Sequence, residues 1–174
     1  QGANRKTGGV YPNERGIDFK SKNLDFAIAA EYTILNLDKL PISPYVCAGV
    51  GMVMFNPYTN SGAYGVRQHL AELGTEGQGL PGYGEKYATS ALEFPLGVGV
   101  KYKVNNTLML SLDFNYRITK TDYIDDVSSN RYPDKALLDA RNPLTYGYTF
   151  RGTSGVYPIN GSVPRGNPDN NDGF

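Results

Sequence analysis

Thr107-Leu-Met-Leu-Ser-Leu-Asp-Phe-Asn-Tyr-Arg-Ile-Thr119 decides how the rest of this chain is read. Leu108, Leu110, Leu112, Phe114, Tyr116 and Ile118 share one side, while Met109, Ser111, Asp113, Asn115, Arg117 and Thr119 share the other. A strand sends successive side chains to opposite faces, so this period of two specifies a β-strand with one apolar and one ionic face. Such a strand suits either a half-exposed sheet of a soluble protein or a membrane barrel that is apolar outside and polar inside.

Three further segments extend the pattern, giving strands over about 24–36, 44–55, 87–103 and 107–121. In the first, Leu24, Phe26, Ile28, Ala30, Tyr32 and Ile34 oppose Asp25, Ala27, Ala29, Glu31 and Thr33. In the third, Leu92, Phe94, Leu96, Val98, Val100 and Tyr102 oppose Glu93, Gly97, Gly99, Lys101 and Lys103. Pro95 falls in that strand and lacks a ladder donor, which predicts a bulge. The second is apolar on both sides; Val46, Val50, Met52 and Met54 are placed outward, with Gly49 and Gly51 inward and leaving room for Glu31. Parity adds a constraint around Asn105-Asn106. Both flanking strands carry their apolar face on even numbers, and cross-strand partners share a face, so the turn contains an odd number of residues. A bulged three-residue loop fits, with Glu93 opposite Arg117 or one pair away.

The 174 residues suggest one domain spanning 1–174. Seventeen basic and seventeen acidic residues cancel, so charge gives no indication of nucleic acid. The lone Cys47 excludes a disulfide scaffold and a thiolate metal cluster. No apolar run is long enough for a helical span, which leaves barrels open because their strands alternate. The chain begins in loop-like sequence, Gln1-Gly-Ala-Asn-Arg-Lys-Thr-Gly-Gly9, with no signal peptide in view.

Connection lengths favour the barrel. Segments before Leu24, after Phe55 and after Thr121 are long, and the two between are tight, so all the long ones lie at one end of the sheet. Outer-membrane barrels have short periplasmic turns and long extracellular loops. The strands also exceed the soluble mode of roughly 5–6 residues and suit a tilted crossing of roughly 9–11. Phe26, Tyr102, Phe114 and Tyr116 sit toward strand ends on the apolar face, as in an interfacial belt.

Five strings carry a family resemblance: Arg15-Gly-Ile-Asp-Phe-Lys-Ser21, Ser43-Pro-Tyr-Val-Cys-Ala-Gly-Val-Gly51, Leu73-Gly-Thr-Glu-Gly-Gln-Gly79, Thr121-Asp-Tyr-Ile-Asp-Asp-Val-Ser128 and Arg165-Gly-Asn-Pro168. Together they resemble the small OmpA-like outer-membrane β-barrels of gliding and type IX-secreting bacteria, over nearly the whole chain. The resemblance implies an all-β, antiparallel, up-and-down transmembrane barrel of about eight strands in the bacterial outer membrane. Four strands are seen here, so three before Gln1 and a closing strand after Phe174 are expected to complete it. One member of the group is the barrel subunit of the type IX secretion machine, and many others have no assigned role.

In such a narrow barrel, Glu31, Glu93, Lys101, Asp113 and Arg117 point inward, where charges must pair to offset desolvation. A stabilising ion network is the plainer reading and ion conduction the alternative. Asp122, Asp125 and Asp126 form a candidate oxygen-ligand cation site, or else cap loop turns. They lack the Gly and distal Glu of a hand-type loop. His69, the sole histidine, reads as a solvated surface residue, and Gly77, Gly79, Gly82 and Gly84 lack the strand-to-helix context of a phosphate cradle. Tyr58, Tyr64, Tyr83 and Tyr123, set among Gly, Asn and Ser, are candidate loop-binding residues or internal loop packing. A short helix over Asp134–Ala140, N-capped by Asp134, is expected in the last loop, and one or two helical turns within Val66–Leu73.

These readings leave a non-enzymatic anchor or scaffold of an envelope assembly, a surface module whose loops capture a ligand, and an intramembrane hydrolase. The hydrolase lacks a Ser-His pair. No cofactor and no resident metal are expected. The expected partners are outer-membrane lipid and other envelope or secretion-system proteins, with no nucleic acid.

Overall fold

The computed structural model describes residues 18–60, 66–129, 131–150, 165–167, 169 and 171–174. Four long strands, β1 (Leu24–Thr33), β2 (Ile42–Met54), β5 (Ser90–Lys103) and β6 (Met109–Thr119), form one sheet in the order β1-β2-β5-β6. Between β2 and β5 come a two-residue pair, β3 (Tyr58–Thr59) and β4 (Gln68–His69), and the single turn α1 (Leu70–Leu73). After β6 come α2 (Lys135–Arg141) and α3 (Pro143–Thr149). The chain divides into two compact units. One is Leu24–Val53 with Ser90–Thr121 and Asn171–Phe174; the other is Met54–Thr89 with Asp122–Asn170 and the first 23 residues.

Within the sheet unit each long strand neighbours the next long strand in sequence, as an up-and-down meander requires. Cross-strand pairing of β5 and β6 is antiparallel and unbroken from Glu93–Thr119 to Lys103–Met109. Val104 donates to Leu108 O at 3.1 Å, which leaves the three residues Asn105, Asn106 and Thr107 as the turn, an odd number as parity requires. Asn105 Oδ1 closes it by accepting from Thr107 N and Leu108 N, both at 2.8 Å. At the other tight connection Asn36 ends β1 in the same way, its Oδ1 accepting from Asp38 N at 2.8 Å. That turn is why the strand stops at Thr33 instead of running to residue 36.

No bulge forms at Pro95. Its partner is Arg117, whose own N–H and C=O exchange bonds with Phe174 at 2.7 and 3.2 Å on the far edge of β6. Pro95 and Arg117 are therefore a non-hydrogen-bonded pair of this ladder, so the missing donor falls on the β2 side of β5 and the β5–β6 register runs on unbroken. Gly49 and Gly51 do not house Glu31 either. A Cβ at Gly49 would lie 2.5 Å from Ile28 O, and one at Gly51 2.5 Å from Phe26 O. These glycines let β2 press against Ala29 and Ala27 of β1, and the Glu31 carboxylate reaches Lys101 of β5 instead.

The two faces of the sheet differ in chemistry as the alternation demands. Even-numbered apolar residues are exposed on all four strands, reaching 83% at Ile28 and 80% at Leu112. Val46, Val50, Met52 and Met54 of β2 are exposed with them, whereas Tyr45 and Val53 are buried, so the outward placement of β2 holds. A face of this length, apolar at every even-numbered strand position but Ser90, is far larger than the scattered apolar residues of a water-exposed surface.

The second unit has its own core. Leu70 and Leu73 of α1 pack with Tyr148 of α3, and Tyr132 meets Phe150 edge-on at 5.8 Å. Asp134 caps α2 as its position before an apolar pair suggests, accepting from Ala136 N at 2.8 Å and Leu137 N at 3.1 Å. α3 begins on Asn142-Pro143, where Asn142 Oδ1 accepts from Leu144 N and the proline occupies the first helical turn. Arg141 reaches from α2 to the open carbonyls at the end of α1, bonding Leu73 O at 2.5 Å and Gly74 O at 2.8 Å.

Candidate functional site

Odd-numbered charges of the sheet meet across strands. Lys101 of β5 forms an ion pair with Glu31 of β1, two strands away in sheet order, and its ammonium also lies 5.0 Å from the Tyr45 ring centroid. Arg117 of β6 reaches across the sheet to Asp25 of β1, with Nη2 at 2.9 Å and Nε at 3.1 Å from Oδ2. The same Nε stands 3.7 Å from Glu93 Oε1, because Glu93 pairs with Thr119 and is one same-face position from Arg117. Asp113 accepts from Asn115 Nδ2, and the Cys47 thiol donates to Asn115 Oδ1 at 3.3 Å. Glu31 and Lys101 thus form one group, Asp25, Glu93 and Arg117 a second, and Asp113 joins Asn115. Asp25 completes the second group and carries the better hydrogen-bond geometry. Its alternation with Phe26 was the signal for it.

The loop unit holds a more deeply buried constellation. Arg165 is 0% exposed and its guanidinium points at two carboxylates. Nη1 donates to Glu76 Oε1 at 2.8 Å and to the Asp126 carbonyl at 2.6 Å, and Nη2 stands 3.5 Å from Asp126 Oδ2. The Glu76 carboxylate also accepts from Ser128 N at 3.0 Å and Ser129 N at 2.9 Å. Asp126 receives two hydroxyls, Thr75 Oγ1 at 2.5 Å and Tyr87 Oη at 2.6 Å. Burial pushes the Asp126 carboxyl up to about 6, against the downward pull of Arg165 and the two hydroxyls. Burial, with Asp126 beside it, also pushes the Tyr87 phenol up, so that group stays a donor at every physiological pH. Two buried carboxylates around one guanidinium leave a net negative charge, and the two backbone amides and two hydroxyls offset its desolvation.

The three charged residues of this constellation come from three of the strings quoted above, Leu73–Gly79, Thr121–Ser128 and Arg165–Pro168. Glu76 and Arg165 were missed as site residues. Their signal was a full charge set among glycines, where charge is usually a sign of solvation.

Asp122, Asp125 and Asp126 do not converge. Asp126 faces Arg165, Asp125 Oδ1 caps Val127 N at 3.0 Å, and among the described residues no group of three or more His, Cys, Asp or Glu is placed to hold a metal ion. The tyrosines are largely built into the fold. Tyr58 is buried in β3, with the Arg67 guanidinium 4.5 Å from its ring centroid. Tyr83 Oη accepts from Asp134 N at 2.8 Å and Arg131 lies over its ring. Tyr123 stacks on Tyr87 with centroids 4.2 Å apart. Tyr64 lies outside the described residues. His69 is half-buried in β4, its ring 6.0 Å from that of Tyr58, so it is not the solvated histidine that its glycine-rich neighbourhood suggests.

The model of a family described as outer membrane protein beta-barrel domain matches residues 2–154. No curated protein and no solved structure matches the chain.

Proposed function

The chain belongs to the outer membrane protein beta-barrel domain family, and from that premise we propose that it is a non-enzymatic anchor or scaffold of an envelope assembly. It is an antiparallel β-barrel protein of the bacterial outer membrane, and the even-numbered face of its sheet is the surface that meets lipid. The anchor reading is supported by the odd-numbered face. Asp25, Glu31, Glu93, Lys101 and Arg117 pair with one another, as in a small barrel filled by its own side chains and unlike a wet channel. A filled barrel has its two rims left for partners. The tight turns at 34–41 and 104–108 offer a rigid rim: both are closed by asparagine side chains, and Lys103 bonds Asp38 at 2.9 Å between them. Type IX secretion or gliding machinery is the proposed assembly, on the five strings that resemble that group.

The test is extraction in mild detergent followed by identification of co-purifying proteins, with the wild type beside a variant whose 37–40 and 105–107 turns are replaced by glycine-serine sequence. The anchor reading expects periplasmic proteins with the wild type and their loss from the variant. Retention in the variant, together with loss on substituting exposed loop residues such as Arg67 and Leu144, favours the second reading, a loop-borne binding module. That second reading is supported by the ordered loop core around Arg165 and weakened by the inward use of Tyr58, Tyr83 and Tyr123.

A further inference from the structure

The way Arg165-Gly166 sits in the loop unit is that of a ligand in a pocket. We propose that Glu76, Asp126 and the Ser128–Ser129 backbone form a guanidinium socket selective for an Arg-Gly segment, which the chain fills with its own Arg165-Gly166. This does not depend on the anchor reading.

Three observations carry it. The socket is built without Arg165: Glu76 is held by the Ser128 and Ser129 amides, and Asp126 by the Thr75 and Tyr87 hydroxyls, so both carboxylates are oriented by other groups. Thr75 is in turn fixed, its carbonyl accepting from Thr149 Oγ1 at 2.7 Å. The acceptors are arranged for a fork. Glu76 Oε1 and the Asp126 carbonyl take one terminal nitrogen and Asp126 Oδ2 faces the other, a two-nitrogen arrangement that the guanidinium fork matches and a single ammonium does not. The residue after the arginine is also specified. Gly166 N donates to Ser129 O at 2.6 Å, and a Cβ at that position would lie 2.8 Å from the Ser128 backbone. Backbone cannot yield as a flexible side chain would, so only glycine lies flush there.

The consequence is an exchangeable strap. Arg165-Gly166 is a tethered occupant, and an Arg-Gly segment in free solution has the same chemistry. Competition by such a segment would release the last loop from the socket without unfolding the barrel.

The experiment uses the full chain in detergent micelles and follows hydrogen exchange at the Ser128 and Ser129 amides, which bond the socket carboxylate. Arg165→Ala is expected to speed their exchange at least about 100-fold, the scale of breaking a buried pair. Low-millimolar guanidinium, or an acetyl-Arg-Gly-amide peptide, is expected to restore about tenfold or more of that protection. Potassium chloride at equal ionic strength, a Lys-Gly peptide and an Arg-Ala peptide are expected not to. Equal protection by salt, or none by the Arg-Gly peptide, overturns the socket. Should Arg165→Ala fail to fold, Arg165→Lys keeps the charge and removes the fork. Wild-type protection in that variant overturns the proposal, and faster exchange that guanidinium reverses supports it.

Discussion

Arg117 and Arg165 do comparable work in two settings. Arg117 is shared by Asp25 and Glu93, and its removal leaves both carboxylates facing each other across the sheet. Arg117→Ala is therefore expected to lower the stability of the folded barrel by a few kcal/mol, the cost of breaking an enclosed pair. The measurement is urea-induced unfolding in lipid bilayers, with Asp25→Asn in the Arg117→Ala background expected to recover part of the loss. Asp126 gives a pH dependence whose sign is fixed. Its carboxyl is raised to about 6 from an ordinary value of 3.8, so the folded state binds its proton more tightly than the unfolded state does. The stability it contributes is full below about pH 4 and is lost as pH rises through about 6. Exchange in the loop unit, corrected for the intrinsic pH effect, is expected to be slower at pH 4.5 than at pH 7.5. In Asp126→Asn the difference across that window is expected to shrink, and an unchanged profile would place the titration elsewhere.

At the scale of elements, the strands were legible because their signal is local. Alternation in β1, β5 and β6 assigns each residue to a face without knowledge of its partners, and even-even parity across Asn105-Asn106 fixed an odd turn before any register was known. The expectation at Pro95 failed because its missing donor falls on the β2 side of β5, and a lost bond there does not shift the register with β6. α2 was legible through Asp134, and Asp134→Ala is expected to cost about 1 kcal/mol by loss of two capped amides, read as faster exchange at Ala136 and Leu137. α3 was overlooked although Asn142-Pro143 is a sound helix start, because Thr145, Gly147 and Thr149 dilute its propensity. The loop core could not be read at all. Glu76, Asp126 and Arg165 carry meaning only together, and nothing within a window of a dozen residues links them.

For the whole molecule, the membrane assignment rests on the even-numbered face, and the absence of tryptophan from the sequence makes it directly testable. Leu112→Trp, introduced into the otherwise Trp-free chain and reconstituted in vesicles with brominated acyl chains, is expected to show blue-shifted emission strongly quenched by bromine. Ser111→Trp, one residue away on the opposite face, is expected to escape most of that quenching. Equal quenching at both positions would deny that the sheet separates lipid from an interior.

Glu76 and Arg165 are 89 positions apart, and Asp25 and Arg117 are 92 apart. A chain delivered to its membrane from the amino end therefore presents the first carboxylate of each cluster long before the arginine that pairs with it. Closure must come late, and bringing such remote positions together is slow. Until then its apolar strand faces stand open beside uncompensated carboxylates, the condition in which a nascent envelope protein depends on an escort to remain unaggregated.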